Sequence, residues 1–411
     1  MAGLAAVAAI TNATLLPRVM PRLVRSSEVG RWPIGLVAYP IGVLTVLVCF
    51  RNHLGVAAAA WGVLAFGDGA ATLVGRRAAR ALPWNPNKTW AGLVSYWALG
   101  WVAAWLLLGW VEPGGDWRHL AVICGVAVLV SALLESLDLG LDDNLWVPPL
   151  TALLLLALLG SAGGWPTLVA MAVDRWPAAV ALNVGLGLVA VRLGSVDRSG
   201  LIGGSVLGMV VYVATGWRGW FLLGCFVVAG SLATRIGYER KRSAQAGGGR
   251  RGLRNVLANG SVAAGCAMLS AAQPSETAYL VAFVAALATA TGDTLASEIG
   301  QLTRGVTRSI ITWRPVPSGT EGGVSSLGTA AAILGCAGLA ALGAALFSWP
   351  PRLAAVVGAV ALVGVFVDSL LGATLERQRL LDNEAVNLAA TLTAALLALQ
   401  FAAQEAARIG G

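Results

Sequence analysis

The fold class predicted by this sequence is an all-α polytopic membrane protein, with about fourteen transmembrane helices in two parallel-repeat helical bundles. Three observations predict it. The 411 residues are 57% hydrophobic and only 12% charged, with a mean hydropathy of +0.76. Apolar runs long enough to cross the roughly 30 Å hydrocarbon core recur along the whole chain. A set of polar blocks occurs twice in the same order, the mark of an internal repeat.

The first seven spans are read at 2–16, 33–50, 54–74, 91–110, 119–137, 145–161 and 177–191. The run at 2–16 is short and Ala-rich, has no basic segment before it, and is followed by Arg18, Arg22 and Arg25. That is the reverse of a secretory signal and suits a span whose N-terminus lies outside. Trp165, Pro166, Trp176 and Pro177 punctuate the middle of the chain. The domains are therefore divided as 1–164 and 165–411. The remaining spans are read at 201–215, 219–234, 255–272, 278–296, 324–347, 353–373 and 384–403. The polar segment Arg235–Arg254, with Gly247, Gly248 and Gly249, reads as a loop facing lipid headgroups.

Charge orients these spans. Alternate loops, at 17–32, 75–90, 192–199, 235–254, 297–323 and 374–383, hold 22 of the 28 Lys and Arg residues. The positive-inside rule places them at the cytoplasmic face of a multi-pass protein of the cell membrane. The formal net charge of +8 is thus explained by topology, and nucleic acid is not an expected partner. The five cysteines lie singly in apolar stretches, so neither a disulfide framework nor a thiolate metal site is indicated. His53 and His119 fall on the outer face, away from the repeated blocks.

The repeated blocks carry the chemistry. Gly67-Asp68-x-x-Ala71-x-x-x-Gly75 returns as Gly292-Asp293-x-x-Ala296-x-x-x-Gly300. Lys88-Thr89-Trp90-Ala91-Gly92 aligns with Gly319-Thr320-Glu321-Gly322-Gly323. Glu135-Ser136-Leu137, leading to Asp142-Asp143-Asn144, returns as Asp368-Ser369-Leu370 leading to Asp382-Asn383. The spans entering the two Gly-Asp motifs are an even number apart, so the units face the same way. Small residues at i, i+4 and i+8 let another helix approach closely, and packing alone accounts for them. It does not account for Asp68 or Asp293, because a carboxylate inside a span costs roughly 2.5–3.5 kcal/mol near the centre. A solvated position is a weak explanation for Asp68, Glu135, Asp293 and Asp368, which end apolar runs, and a reasonable one for Glu376 and Glu384.

Carboxylates beside basic, Gly-rich loops suit a site for metal and phosphate. Mg2+ prefers one or two carboxylates plus phosphate oxygens, while Gly-rich backbone and Lys or Arg approach the phosphates. Lys88 and Lys241 are the only lysines in the chain, and the position of Lys88 before Thr89 suits either a phosphate contact or a headgroup anchor.

The blocks resemble two known membrane families. Gly67-Asp68, Ala71, Gly75-Arg76, Asn87 through Gly92, Glu135-Ser136, Asp142-Asp143-Asn144 and Pro148 are similar to the phytol kinase/dolichol kinase group over about residues 10–160. That resemblance implies phosphorylation of an isoprenoid alcohol with CTP or another nucleoside triphosphate. From about residue 178 to 405 the chain resembles the related family that includes phytyl-phosphate kinase. The marks are Asp197-Arg198-Ser199-Gly200, Arg254-Asn255 to Gly260, Gly292-Asp293-Thr294, Ser297-Glu298-Ile299-Gly300, Val316-Pro317 to Ser325, Asp368 to Ala373, and Asp382-Asn383. Glu321 stands where that family more usually has Asp. The signature of phosphatidate cytidylyltransferases is absent, which argues against nucleotidyl transfer.

Together these resemblances imply a fusion of two consecutive kinases, alcohol to monophosphate and monophosphate to diphosphate. They imply that Asp68, Asp142 and Asp143 lie near metal, Arg76, Lys88, Thr89 and Gly92 near phosphate, and Glu135 and Asn144 at the alcohol. In the second half Asp293, Glu298, Asp368 and Asp382 take the acidic roles beside Asn383. Arg308, Arg314, Gly319, Thr320, Gly322 and Gly323 hold phosphate there. The expected partners are the isoprenoid alcohol, its monophosphate, nucleotide and membrane lipid; a homo-oligomer is left open. The rival is a transporter of lipid or prenyl phosphate, also a parallel-repeat design. A transporter places ionisable residues near the midplane, whereas these cluster at one edge.

Overall fold

The computed structural model describes Thr11 and residues 34–50, 53–136, 143–160, 165–192, 194–237, 251–274, 277–378 and 381–410. The expected span 2–16, the loop 17–32 and most of 235–254 lie outside these residues, as does Asp142. The chain separates into two compact units, Met1–Ala162 and Gly163–Gly411. It is mostly helical, and eight described helices are long and apolar enough to cross a membrane.

Unit 1 contains α1 (Ile34–Cys49), α2 (Leu54–Gly62), a π-helical segment (Val63–Asp68), α3 (Gly69–Gly75), β1 (Ala81–Leu82), β2 (Asn85–Thr89), α4 (Trp90–Val111), α5 (Trp117–Glu135) and α6 (Asp143–Gly160). Leu54–Gly75 forms one continuous span of 22 residues through the π segment. Pro40 lies inside α1, and Pro148 and Pro149 inside α6. The packing of α4 on α5 is fixed by a row of indoles one turn apart. Trp97, Trp101 and Trp105 donate through Nε1 to the carbonyls of Gly125, Ala121 and Trp117. Each indole N–H thereby finds an acceptor that lipid does not offer.

Unit 2 contains α7 (Trp165–Arg192), α8 (Arg198–Arg235), α9 (Leu253–Ala272), α10 (Thr277–Gly300), β3 (Thr307–Ser309), β4 (Pro315–Val316), β5 (Gly323–Val324), α11 (Ser326–Phe347), α12 (Pro351–Leu371), a π segment (Gly372–Glu376) and α13 (Asn383–Gly410). Its centre is α10. Every residue from Val281 to Ala290 is buried, because α8, α9, α11, α12 and α13 all pack against it. A helix apolar on all sides is one surrounded by other helices. Ala and Gly dominate these contacts and let the backbones approach closely.

The structure corrects two expectations. The protein is not purely helical: β1–β2 form an antiparallel hairpin and β4-β3-β5 an antiparallel three-stranded sheet. Both lie in stretches read as basic loops, where strands of two to five residues are too short to show an alternating pattern. The runs expected at 201–215 and 219–234, by contrast, are found as two helical segments of α8 parted at Gly216 (φ 68°, ψ −162°). Trp176 and Pro177 punctuate nothing; both lie inside α7.

Candidate functional site

In unit 1 the Gly67, Ala71 and Gly75 stripe is a contact surface for α4. A Cβ on Gly67 would lie 3.1 Å from the Tyr96 carbonyl, and one on Gly92 would lie 3.2 Å from the Ala71 carbonyl. The start of α4 is fixed by Thr89, whose Oγ1 accepts from Gly92 N at 3.1 Å, an N-cap that satisfies one of the helix's free donors. Gly75 thus meets the Thr89 end of α4, and Gly67, next to Asp68, meets Tyr96 and Gly100 further along it.

Lys88, the residue before that cap, reaches the first cluster of carboxylates. Its Nζ pairs with Glu135, buried at the end of α5, and with Asp143 Oδ2 at 3.0 Å. Asp68 and Asp143 both act electrostatically on Glu135. Burial pushes the Lys88 ammonium toward a lower pKa, but the Asp143 and Glu135 charges outweigh it and hold the pKa above the ordinary lysine value. Lys88 is therefore charged at neutral pH. The hairpin is tied to the same helix end by two residues the sequence did not single out. Trp84 Nε1 donates to Ser136 Oγ at 3.0 Å, and Asn85 Nδ2 donates to the Ser136 carbonyl at 3.0 Å. Asn85 Oδ1 also accepts from Asn87 N at 3.0 Å, turning the chain into the Lys88 strand.

Asn144 is buried beside this cluster at the start of α6. Arg76 is not brought in. It is exposed at the end of α3, and among the described residues no hydrogen bond or ion pair joins its side chain to the carboxylates.

Unit 2 assembles its carboxyl groups differently. Asp293 on α10 and Asp368 on α12 are hydrogen-bonded to each other, and Glu321 is hydrogen-bonded to Glu376. Asp368 feels the charges of Asp293, Glu376 and Glu321, and its Oδ1 is buried without a partner. Carboxyl groups paired in this way hold a proton between them, or a cation in its place. Glu376 thus belongs to the cluster, against the expectation that it is merely solvated. Glu384 is also occupied, 3.6 Å from Arg254.

The loop at 319–323 delivers Glu321. Gly319 (φ +84°) and Gly322 (φ +67°) adopt left-handed backbone, where glycine alone is unstrained. A side chain at Gly322 would also collide with the Ala373 backbone in the π segment below. Thr320 Oγ1 donates to the Pro317 carbonyl at 2.7 Å, and Gly323 N donates to the Thr320 carbonyl at 2.8 Å.

Unit 2 has a similar clamp, but with other residues than the paired motifs suggest. Ser325, not Thr320, caps the following helix: its Oγ accepts from Gly328 N at 3.1 Å. Gly328, not Gly323, meets the stripe, since a Cβ there would lie 2.9 Å from the Ala296 carbonyl and 3.2 Å from Gly300 Cα. Ser325 and Gly328 are therefore the counterparts of Thr89 and Gly92. Thr320 to Gly323 belong to an insertion that has none in unit 1.

Other expected residues have different surroundings. Glu298 accepts from Thr234 Oγ1 at 2.8 Å and lies within the field of Arg251. Asp382 pairs with Arg254 and accepts from Ala385 N at 2.9 Å, capping α13, where Asn383 is exposed. Arg308 donates from Nη1 to the Trp313 carbonyl at 2.9 Å, and Arg314 is exposed. Among the described residues no three His, Cys, Asp or Glu side chains converge to hold a metal ion by themselves. A divalent cation would need further oxygens, as Mg2+ takes from phosphates. The paired carboxyls and the partnerless Asp368 oxygen fit such a shared site.

The sequence profile of the family described as integral membrane protein DUF92 matches residues 181–395. An uncharacterized membrane protein of Methanocaldococcus jannaschii, MJ0933, is 33% identical over 212 residues, 52% of this chain and 88% of that one. Phytol kinase 1, a chloroplastic protein of Arabidopsis thaliana, is 27% identical over 151 residues, 35% of this chain and 49% of that protein. CTP-dependent diacylglycerol kinase 1 of Schizosaccharomyces pombe is 32% identical over 151 residues, 34% of this chain and 67% of that protein. No solved structure matches the chain.

Proposed function

The chain belongs to the integral membrane protein family DUF92, and from that premise we propose that it is a phosphotransferase acting on lipid alcohols and lipid phosphates. The observation that carries this reading is the repeated arrangement of a Gly-Asp helix clamped against a capped helix, with carboxyl groups gathered beside the clamp. Kinship with a phytol kinase and a CTP-dependent diacylglycerol kinase supports it. In the finer form of the proposal, unit 1 phosphorylates an isoprenoid alcohol and unit 2 its monophosphate, with CTP as donor. The fourteen-span topology, the cytoplasmic sites and the domain boundary near residue 165 belong to the same proposal.

Phosphoryl transfer asks the protein for positioning and charge neutralisation more than for covalent chemistry. Mg2+ bound with the nucleotide would supply charge neutralisation at the phosphate oxygens. Asp68, Asp142 and Asp143 would hold it in unit 1, and Asp293, Asp368 and Asp382 in unit 2, with Glu321 and Glu376 close by. Glu298, at the Thr234 side of α10, would act on the cluster from a distance. Glu135 would take the alcohol proton with Asn144 orienting the hydroxyl, while Lys88 and Arg76 face the donor phosphates. In unit 2 Asn383 lies beside the acidic group. Arg308, Arg314 and the backbone of Gly319–Gly323 would offset the repulsion between acceptor and donor phosphates, which no alcohol acceptor presents.

The test uses purified protein in detergent with Mg2+, CTP or ATP, and phytol, farnesol or geranylgeraniol, the products resolved by mass. Asp68→Ala is expected to abolish monophosphate formation and spare phosphorylation of supplied monophosphate; Asp293→Ala is expected to do the reverse. Loss of both activities in either folded variant would replace two sites with one.

A further inference from the structure

Between Ile299 and Glu321 the chain carries Arg304, Arg308 and Arg314 and no acidic residue. Inside this stretch the turn from β3 to β4 presents apolar side chains outward: Ile311 is 47% and Trp313 63% exposed, with Val306 58% exposed beside them. Trp313 has φ +55°, a conformation that disfavours any residue with a Cβ. It is held there by three hydrogen bonds. Trp313 N donates to the Ser309 carbonyl at 2.9 Å, Ser309 N to the Arg314 carbonyl at 3.0 Å, and Arg308 Nη1 to the Trp313 carbonyl at 2.9 Å. The indole is thus fixed in an outward position by a structured turn.

The flanking helices say what lies outside it. Thr277–Gly300 and Ser326–Phe347 are both candidate membrane spans. The first, of 24 residues, is about 36 Å long, more than the roughly 30 Å hydrocarbon core. The sheet therefore hangs from two helix ends at one bilayer surface. Tryptophan is enriched at that level, and basic residues there are drawn to anionic headgroups.

We propose that the β3–β4 turn docks into the headgroup layer of an anionic leaflet, with Ile311 and Trp313 at the acyl boundary and Arg304 facing lipid phosphates. The docking rests on exposure, charge and attachment, and does not depend on which reaction the protein catalyses.

The experiment is fluorine NMR of full-length protein labelled with 5-fluorotryptophan. The Trp313 line is assigned by its loss in Trp313→Phe, or in Trp313→Tyr should the first variant not fold. Spectra are recorded in nanodiscs of phosphatidylcholine with and without phosphatidylglycerol, and in lipid-free amphipol. A headgroup-linked nitroxide lipid reports lipid contact, and an aqueous gadolinium chelate reports water contact. The expected result is broadening by the nitroxide and protection from the chelate, with protection greater when phosphatidylglycerol is present. Arg304→Gln is expected to weaken the phosphatidylglycerol-dependent gain roughly fivefold, as for one basic residue at an anionic surface. Equal protection in amphipol would mean that protein covers the indole, and free access of the chelate in nanodiscs would mean that water does. Protection indifferent to phosphatidylglycerol would remove the anionic partner. Each of these three outcomes overturns the proposal.

Discussion

Lys88 shows how much one side chain decides at this site. It sits among Asp143, Glu135 and, through Glu135, the field of Asp68. Glu135 is 4% exposed, so removing its cation leaves a charge that water cannot solvate. We expect Lys88→Met to lower stability by about 1–3 kcal/mol, below the 3–5 kcal/mol of a fully buried pair because Lys88 is itself partly solvated. Thermal unfolding in detergent measures this. Lys88→Arg should retain most of the stability while changing phosphate contacts, since a planar fork does not replace a compact ammonium. The pH dependence has a definite sign. Asp143 and Glu135 raise the Lys88 pKa on folding against the effect of burial. Its contribution is therefore full below the ordinary lysine value of about 10.4 and is lost as pH rises through the folded value. Wild type should lose stability in that alkaline range by more than Lys88→Met does. The sequence already isolated Lys88 and the Glu135 and Asp143 blocks, because rare polar residues stand out against apolar spans. It gave no sign of Asn85 and Trp84, whose hydrogen bonds to Ser136 cross about fifty positions. Glu376 looked solvated because only the fold brings Glu321 to it.

At the scale of elements, the glycine stripes are the part of the repeat that must be bare. Gly328 lies against the Ala296 carbonyl and Gly300, so Gly328→Val should force α10 and α11 apart at a cost of about 1–3 kcal/mol. Gly92→Val should do the same to α3 and α4. Gly338→Ala is the control: it lies in the same helix with nothing within 4 Å of its Cβ position, and its unfolding temperature should be nearly unchanged. The stripes were legible from spacing alone. The caps were not read from the sequence, and its pairing of Thr89 and Gly92 with Thr320 and Gly323 missed Ser325 and Gly328, which form the cap and contact in unit 2. Loop length explains the error. A two-stranded hairpin joins the clamped helices in unit 1, a three-stranded sheet in unit 2, and alignment by motif cannot see that the added strand displaces the cap.

For the whole molecule, composition and apolar runs were enough to establish a helical membrane protein and to part the two runs that meet at Gly216, whereas the short strands between spans leave no hydropathy pattern to read. The proposed common sidedness of the two sites is open to direct measurement. Arg80→Cys and Ser318→Cys place thiols at exposed positions in the two connecting loops. Both should react with an impermeant maleimide in inside-out vesicles and neither in right-side-out ones. Labelling from opposite faces would dismantle the parallel repeat. The π segment at Val63–Asp68 adds a constraint of another kind. A wide turn of this sort is an α-helix that has accommodated one surplus residue, and the surplus sets the angular phase of all that follows. Tightening it to regular α-helix without removing a residue would swing Asp68, Ala71 and Gly75 around the axis together by about 100°. The carboxylate would leave its companions at the same moment as the small-residue stripe left α4. Carboxylate placement and helix contact in unit 1 are thus keyed to the same wide turn, and a lineage could tighten it without losing both only by giving up one residue there.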